Sequence, residues 1–396
     1  MIAMKTTLKN RVLHSLADLI ETNKTNLIAT NQKDLALCVH GDESLIDRLK
    51  IDDSKIENMI NSIKEVINFP DPENKVLYSH KKSEGLFIEN RTVAFGKILI
   101  IYESRPDVTI EAAITAFKAG NEILLKGGKE ARNTNLLLAD LWQQALKKNN
   151  CNISIVKYLD YNRSQTQELI KNNTENIDLI IPRGGEQLIQ SIRENTDIPM
   201  IISGRGNNFI YIDESVNFDM AIAIILDGKK RISVCNALDK VYIHQNIESS
   251  KILKLIQSLL HKNIKIIADE EIKPLHTSIN AISAEAEFYE EYLSHKILLA
   301  MTQNLDQAID GINKYSGGHS AVIVSNNDDN AKHFQNRVDC AAVYHNASSR
   351  FTDGGELGLG AEIAISTQKL HFRGPVGLNE LVTNKWFISG QGHVRG

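Results

Sequence analysis

Ile98-Leu99-Ile100-Ile101-Tyr102 is a continuous apolar run of strand length, and the alternation of strands and helices that begins with it decides the fold. Pro106-Asp107 can open a helix carrying Val108, Ala112, Ile114, Ala116 and Phe117, and Gly120 stops it. Glu122 to Lys126 reads as the next strand and Ala131 to Lys147 as the next helix. Ile153–Val156, Ile177–Ile181 and Ile198–Ile202 continue the strands, with a helix over Gln187–Arg193 between the last two. A run without polar alternation is buried on both faces. Such strands, alternating with helices, predict an α/β fold with a parallel sheet covered on both sides. Sheets of this kind take ligands at the carboxyl ends of their strands.

Upstream, Leu8 to Ile67 reads as helices: Val12, Leu13, Leu16, Leu19 and Ile20 recur at helical spacing, and Pro70 and Pro72 end the region. Lys82 to Val93 reads as a hairpin. Downstream the alternation resumes. Val241–His244, Ile264–Ala268, Ile297–Met301 and Ala321–Ser325 read as strands, with helices over Ile252–Leu260, Leu305–Lys314 and Asn330–Arg337. The spacing predicts one α/β domain over 1–232, with hairpin 82–93 set apart as an arm. A second domain is expected over 233–360. The Gly- and Thr-rich segment 361–396 is expected to form strands that pair with a partner subunit.

Composition narrows the function. The chain has 396 residues, an ordinary apolar fraction of 42% and a net charge of −4, which argues against nucleic acid as a main partner. Four cysteines (Cys38, Cys151, Cys235, Cys340) make neither a disulfide framework nor a metal-ligand spacing, so no metal is expected and a reducing compartment fits. The first residues lack a continuous apolar core for a signal peptide, and no run is long and apolar enough to cross a bilayer. These features predict a cytoplasmic protein with no membrane partner.

The chemistry concentrates at Gly228-Lys229-Lys230-Arg231-Ile232-Ser233-Val234-Cys235-Asn236-Ala237. Three cations precede Cys235, and no acid lies near it until Asp239. Positive charge favours the thiolate, the nucleophilic form. A cysteine taken alone is more often a small buried hydrophobe. Here it stands at the entrance to the second α/β domain, where a group can face ligands held by both. The usual glycine fingerprint of dinucleotide sites is missing after the first strand. Two substitutes end strands: Lys126-Gly127-Gly128-Lys129 and Arg183-Gly184-Gly185. Glycines let phosphate approach backbone N–H groups, and lysine adds a point charge. Arg350, in a glycine-dense polar stretch over 346–362, can fork onto a carboxylate or phosphate. His319 and His371 lack the spacing of a metal pair.

With these residues in place, the sequence resembles the γ-glutamyl phosphate reductases, a branch of the aldehyde dehydrogenase group, along almost its whole length. The likeness rests on Tyr102-Glu103-Ser104-Arg105-Pro106, Lys126-Gly127-Gly128-Lys129-Glu130-Ala131, Ser233-Val234-Cys235-Asn236-Ala237, Arg350-Phe351-Thr352-Asp353-Gly354-Gly355-Glu356 and Ser366-Thr367-Gln368-Lys369-Leu370-His371. The resemblance implies two Rossmann-like parallel-sheet domains and a small β oligomerisation arm. Domain 1–232 would bind NADPH and domain 233–360 would carry catalysis, in a homo-oligomer. It implies reduction of L-glutamyl 5-phosphate to L-glutamate 5-semialdehyde through a thioester on Cys235. In this reading the Cys235 N–H and Ser104 are candidate oxyanion donors. Lys126, with Gly127, Gly128, Arg183, Gly184 and Gly185, faces the cofactor, and Glu291 holds the nicotinamide ribose. Arg105 and Arg350 take the anionic ends of the substrate.

Hydrolytic relatives carry a carboxylate that activates water against the thioester. The corresponding segment here, Ile202-Ser203-Gly204-Arg205-Gly206-Asn207-Asn208, has no acidic residue, which fits a reductase. The same segment lacks the histidine and cysteine usual in the reductases, and Ser316-Gly317-Gly318-His319 differs from their Gly-Ser-Gly-His. Three alternatives stay open at this point. They are a hydrolysing aldehyde dehydrogenase, an enzyme passing the acyl group to coenzyme A, and a non-catalytic nucleotide-binding scaffold, for instance for a glutamate 5-kinase.

Overall fold

The structure, a computed structural model, describes residues 4–38 and 43–395. Residues 1–3, at the start where a signal peptide would stand, lie outside it. The chain forms two compact units. One comprises Met1–Ile202, Gly358–Ala364 and Val376–Gly396, and the other Ser203–Leu357 and Ile365–Pro375.

The first unit opens with helices α1 (Thr6–Thr22), α2 (Lys24–Leu37), α3 (Glu43–Leu49) and α4 (Asp53–Asn68). Asp52 caps α4 by accepting from the Lys55 N–H at 3.0 Å. A hairpin comes next, β1 (Val76–Lys81) and β2 (Phe87–Ala94), then β3 (Lys97–Tyr102), α5 (Val108–Lys118), β4 (Glu122–Lys126), α6 (Arg132–Lys148), β5 (Val156–Tyr158), α7 (Arg163–Asn172), β6 (Leu179–Arg183) and α8 (Glu186–Arg193). The parallel sheet runs in the order β5-β4-β3-β6. Its inner strand β3 carries the apolar run, and Ile98, Leu99 and Ile100 are fully buried. Trp142 on α6 meets Phe117 on α5 edge to face at 5.5 Å in the same core.

The second unit holds β7 (Asn208–Ile212), α9 (Phe218–Gly228), β8 (Leu238–His244), α10 (Ser249–His261), β9 (Lys265–Ala268), β10 (Asn280–Ala281), α11 (Ala286–Tyr289), β11 (Lys296–Thr302), α12 (Leu305–Tyr315), β12 (Ser320–Val324), α13 (Asp328–Arg337) and β13 (Ala342–His345). Its sheet is parallel throughout, in the order β10-β9-β11-β8-β7-β12-β13. Two short strands, β14 (Ala364–Ser366) and β15 (Gly374–Val376), precede β16 (Val382–Ser389).

Three expectations are corrected. The division falls after Ile202, not at 232/233, because β7 is a strand of the second sheet and α9 packs into that unit's core. Ile198–Ile202 is not a strand. It makes a single bridge, Met200 to Ile180, because Pro199 has no N–H with which to extend the ladder. The hairpin spans 76–94, and residues 82–86 are its turn. The C-terminal strand β16 pairs antiparallel with β2 of its own chain, from Val382 opposite Ala94 to Ser389 opposite Phe87. The resulting sheet β1-β2-β16 exposes Leu77, Tyr78, Trp386 and Ile388.

Candidate active site

In the second unit, the cysteine sits in a turn between α9 and β8, closed by the Ala237 N–H donating to the Val234 carbonyl at 3.1 Å. Cys235 is half-buried. Helix α9 can end against β8 because Gly228 is bare; an added Cβ would stand 2.7 Å from the Leu238 Cβ. Next comes Lys229, whose role departs from the expectation. Its side chain is buried, and its Nζ pairs with Asp239 Oδ1 at 2.9 Å. Burial pushes the ammonium's pKa down and Asp239 opposes the shift. The first of the three cations is thus neutralised by the very acid that ends the cationic stretch. Lys230 and Arg231 are exposed.

The turn is gripped from two sides. Asn208, fully buried at the start of β7, donates from Nδ2 to the Cys235 carbonyl at 2.7 Å, and to the carbonyls of Gly206 at 2.8 Å and Ala237 at 2.6 Å. Gly206 lies flat against the same carbonyl: an added Cβ would be 1.9 Å from the Cys235 oxygen. On the other side, the Asn236 amide donates to the carbonyls of Arg350 and Thr352, both at 3.1 Å. Its own carbonyl accepts from Ser349 Oγ at 2.8 Å, and Arg350 Nη1 donates to Asn236 Oδ1. Arg350 is thereby brought beside the cysteine turn.

Glu291 reaches the same place. Its Oε1 accepts from the Gly206 N–H at 3.1 Å. Burial raises its carboxyl above the usual range and Asp239 adds to the shift, while the Gly206 N–H, His319 and Arg205 oppose it. Asp239 also accepts from the Tyr292 N–H at 3.1 Å, so one buried carboxylate ties the end of α9 to the segment bearing Glu291. Beside it, burial pulls Lys240 down to about 7, with its ammonium 3.5 Å from the centre of the Tyr292 ring. Cys235, Glu291 and Arg350 therefore gather in one unit: Asn236 ties Arg350 to the cysteine turn, and Cys235 and Glu291 are joined by Gly206 and Asn208. In the sequence those two stand out only as part of an atypical segment. The available signal is the pair Asn207-Asn208 directly before the apolar run Phe209–Ile212, polar residues at the mouth of a buried strand.

The remaining expected residues lie in the first unit. The carboxyl ends of β3 and β4 open on a cavity of about 540 Å³, bordered by Glu103, Lys126, Gly127, Gly128, Lys129 and Arg163. Burial lowers the pKa of Lys126, whose Nζ donates to the Gly127 carbonyl at 2.5 Å. Gly127 also has a packing reason: an added Cβ would be 2.2 Å from Asn135 Nδ2. The Arg183-Gly184-Gly185 turn departs from the open phosphate cradle expected. The Gly185 N–H already donates to Glu103 Oε2 at 2.9 Å, and a Cβ on Gly184 would stand 2.4 Å from that oxygen. Ser104, buried and left-handed at φ +40°, donates to Glu130 Oε1 at 3.2 Å. Arg105 stands in the field of Glu111, which burial and then Asp107 raise to about 7 while Arg183 and Arg105 pull it down. Among the described residues, no cluster of His, Cys, Asp or Glu could hold a metal ion. No described helix is long and apolar enough to cross a membrane.

A parallel sheet that opens on a cavity in the first unit, and a cysteine on a strand-entry turn in the second, fit an aldehyde dehydrogenase-type chain. The family model described as "Aldehyde dehydrogenase family" matches residues 1–295. The chain is 39% identical to the γ-glutamyl phosphate reductase of Dictyoglomus thermophilum, over 99% of this chain and 95% of that one. It is 41% identical to that of Nitratiruptor sp., over 98% and 94%. The crystal structure of γ-glutamyl phosphate reductase from Thermotoga maritima superposes with a TM-score of 0.92 at 38% identity, covering 99% of this chain and 95% of that one. An acetylating aldehyde dehydrogenase from Geobacillus thermoglucosidasius, 16% identical with a TM-score of 0.72, shares the fold alone. The chain belongs to the aldehyde dehydrogenase family and, within it, to the γ-glutamyl phosphate reductases. That family works with a nicotinamide nucleotide.

Proposed function

We propose that the chain reduces L-glutamyl 5-phosphate to L-glutamate 5-semialdehyde and releases phosphate, the second step of proline synthesis from glutamate. The observation that carries the reading is the near-full-length likeness to γ-glutamyl phosphate reductases, together with the intact Cys235 turn. Cys235 thiolate adds to the acyl carbon, the carbonyl pair moves onto oxygen, and its return expels phosphate and leaves a thioester. A bound reduced nicotinamide supplies the hydride. The thiohemiacetal left on Cys235 then collapses, the C–S pair returning to sulfur and the aldehyde departing. Segment 202–208 has no carboxylate to activate water, which protects the thioester from hydrolysis.

The first-unit cavity suits a dinucleotide. Lys126, Lys129 and Arg163 border it, and Gly128 allows close approach of a phosphate. We infer NADPH over NADH from the likeness to the γ-glutamyl phosphate reductases. Glu291, held against Gly206, is the residue we assign to the nicotinamide ribose, and Arg105 and Arg350 to the charged ends of the substrate. Ser104 is assigned a supporting part in the oxyanion site, its hydroxyl oriented by Glu130. The apolar β1-β2-β16 sheet supports a homo-oligomer, because an exposed aromatic strand edge of this kind invites pairing.

The test is phosphate-dependent reduction of NADP with glutamate 5-semialdehyde. The parent should turn over only when phosphate is present, and Cys235→Ser should be inactive while still binding nucleotide. Turnover without phosphate, or with coenzyme A in its place, would move the chain to another reaction of the same family.

A further inference from the structure

The reaction assigned to this chain consumes one proton, which neither the thiolate nor the hydride supplies. The phosphate of an acyl phosphate is a dianion at neutral pH. When the thiolate displaces it, the bonding pair stays on the leaving oxygen. That oxygen must take a proton if phosphate is to depart as hydrogen phosphate, and a positioned side chain is the usual source.

The second unit holds a line of side chains suited to deliver one. His319 precedes β12, Ser320 is the first residue of that strand, Tyr344 lies on β13, and Thr352 follows Arg350 by two residues. His319 Nδ1 is 2.8 Å from Ser320 Oγ, Ser320 Oγ is 2.7 Å from Thr352 Oγ1, and Thr352 Oγ1 is 2.9 Å from the Tyr344 hydroxyl. His319, Ser320 and Thr352 are buried, whereas Tyr344 is only half-buried, so the line runs from the solvent side inward. Each inner hydroxyl has two partners and one hydrogen, so the hydrogens all point one way or all the other. Burial raises the pKa of Tyr344 and Thr352 opposes the shift, so the phenol keeps its proton. With the hydrogens running inward from Tyr344, the imidazole accepts at Nδ1 and carries its own hydrogen on Nε2, the nitrogen turned away from Ser320.

The inner end is tied to the nucleophile. The Ser320 N–H donates to Asn208 Oδ1 at 3.0 Å, and Asn208 Nδ2 donates to the Cys235 carbonyl at 2.7 Å. The Thr352 carbonyl accepts from the Asn236 amide at 3.1 Å. His319 also faces Glu291, whose carboxyl is raised by burial and drawn down in part by the imidazole.

We propose that His319 gives the proton to the departing phosphate and that Ser320, Thr352 and Tyr344 are the relay that restores it from solvent. The proposal rests on Cys235 being the nucleophile. As the carbonyl pair returns and the bond to phosphate breaks, the leaving oxygen keeps the bonding electrons and takes the hydrogen from Nε2. Nδ1 takes the hydrogen of Ser320, Ser320 that of Thr352, Thr352 that of Tyr344, and Tyr344 takes one from solvent. One proton enters and one leaves on phosphate. In the reverse direction hydrogen phosphate attacks the thioester and hands its proton back along the same line.

The test separates two steps in full-length protein: the parent, His319→Gln, Thr352→Val, Thr352→Ser and Cys235→Ser. Glutamate 5-semialdehyde and NADP are mixed with enzyme without phosphate, and the burst of NADPH reports thioester formation, in which the thiohemiacetal loses only a hydride. Inorganic phosphate is then added, and loss of the thioester is followed by acid quench and peptide mass. His319→Gln should slow phosphorolysis relative to the burst by about 10²-fold, the lower end of what a positioned proton donor contributes. Thr352→Val, which keeps the shape and breaks the line, should slow it in the same sense. Thr352→Ser, which keeps the hydroxyl, should restore it. If His319→Gln does not fold, the Thr352 pair decides. Phosphorolysis at the parental rate in Thr352→Val overturns the proposal. So does a burst that falls in step with phosphorolysis, or a Thr352→Ser protein as slow as Thr352→Val, since either marks a packing role. A burst in Cys235→Ser is a separate failure, that of the nucleophile assignment itself.

Discussion

Gly206→Ala places one methyl group against the nucleophile's own peptide. The added carbon would stand 1.9 Å from the Cys235 oxygen, 2.5 Å from its carbonyl carbon and 2.6 Å from its Cα. All three are backbone atoms, so no rotamer change can relieve the contact. Restoring even 3.0 Å to the oxygen requires a retreat of about 1.1 Å by a turn pinned by Asn208 on one side and Asn236 on the other. A misplacement near 1 Å costs about 100-fold in rate, or about 2.7 kcal/mol of transition-state stabilisation. The expected outcome is a kcat about 100-fold below the parent in phosphate-dependent NADP reduction. A Gly206→Ala protein with parental kcat would refute the idea that this contact fixes Cys235.

Three further outcomes are expected. Asp239→Asn leaves the buried Lys229 ammonium without its partner, and a thermal or denaturant melt should show a loss of about 3–5 kcal/mol. Glu111 has its folded pKa raised from 4.5 to about 7, so the folded state holds a proton that the unfolded state has released. Stability from this group is present below the unfolded value and is lost as pH rises toward about 7. Glu111→Gln should flatten that part of the stability profile, and an unchanged slope would count against the shift. Trp386→Glu puts a charge on the exposed strand β16, and, on the proposed homo-oligomer, light scattering should show a smaller mass than the parent's.

The sheets were legible where strands were apolar on both faces. Ile98–Tyr102 and Glu122–Lys126 sit in the structure within a residue of the reading, because their apolar residues are buried and the half-buried polar Lys97, Glu122 and Lys126 mark strand ends. Strand β7 was not legible. Its apolar run is only Phe209–Ile212, and its first residue is an asparagine whose side chain serves the cysteine turn instead of solvent. The false strand at 198–202 shows the converse: its apolar pattern is sound, but Pro199 removes the hydrogen bond that pairing needs. At the site, the cysteine could be read from its charged approach, although one of those charges turned out to be structural. What local sequence cannot show is partnership at long range. The Lys229–Asp239 pair and the contact of Gly206 with Cys235 exist only once the second sheet has formed.

Cys235 is claimed to carry the glutamyl group. Incubation with glutamate 5-semialdehyde and NADP, without phosphate, should trap it there. Peptide mass spectrometry after an acid quench should find the mass of a glutamyl group on the peptide containing Cys235, and addition of phosphate before the quench should remove it. An unmodified Cys235 in a protein that turns over with phosphate, or the adduct on another cysteine such as Cys340, would contradict the mechanism.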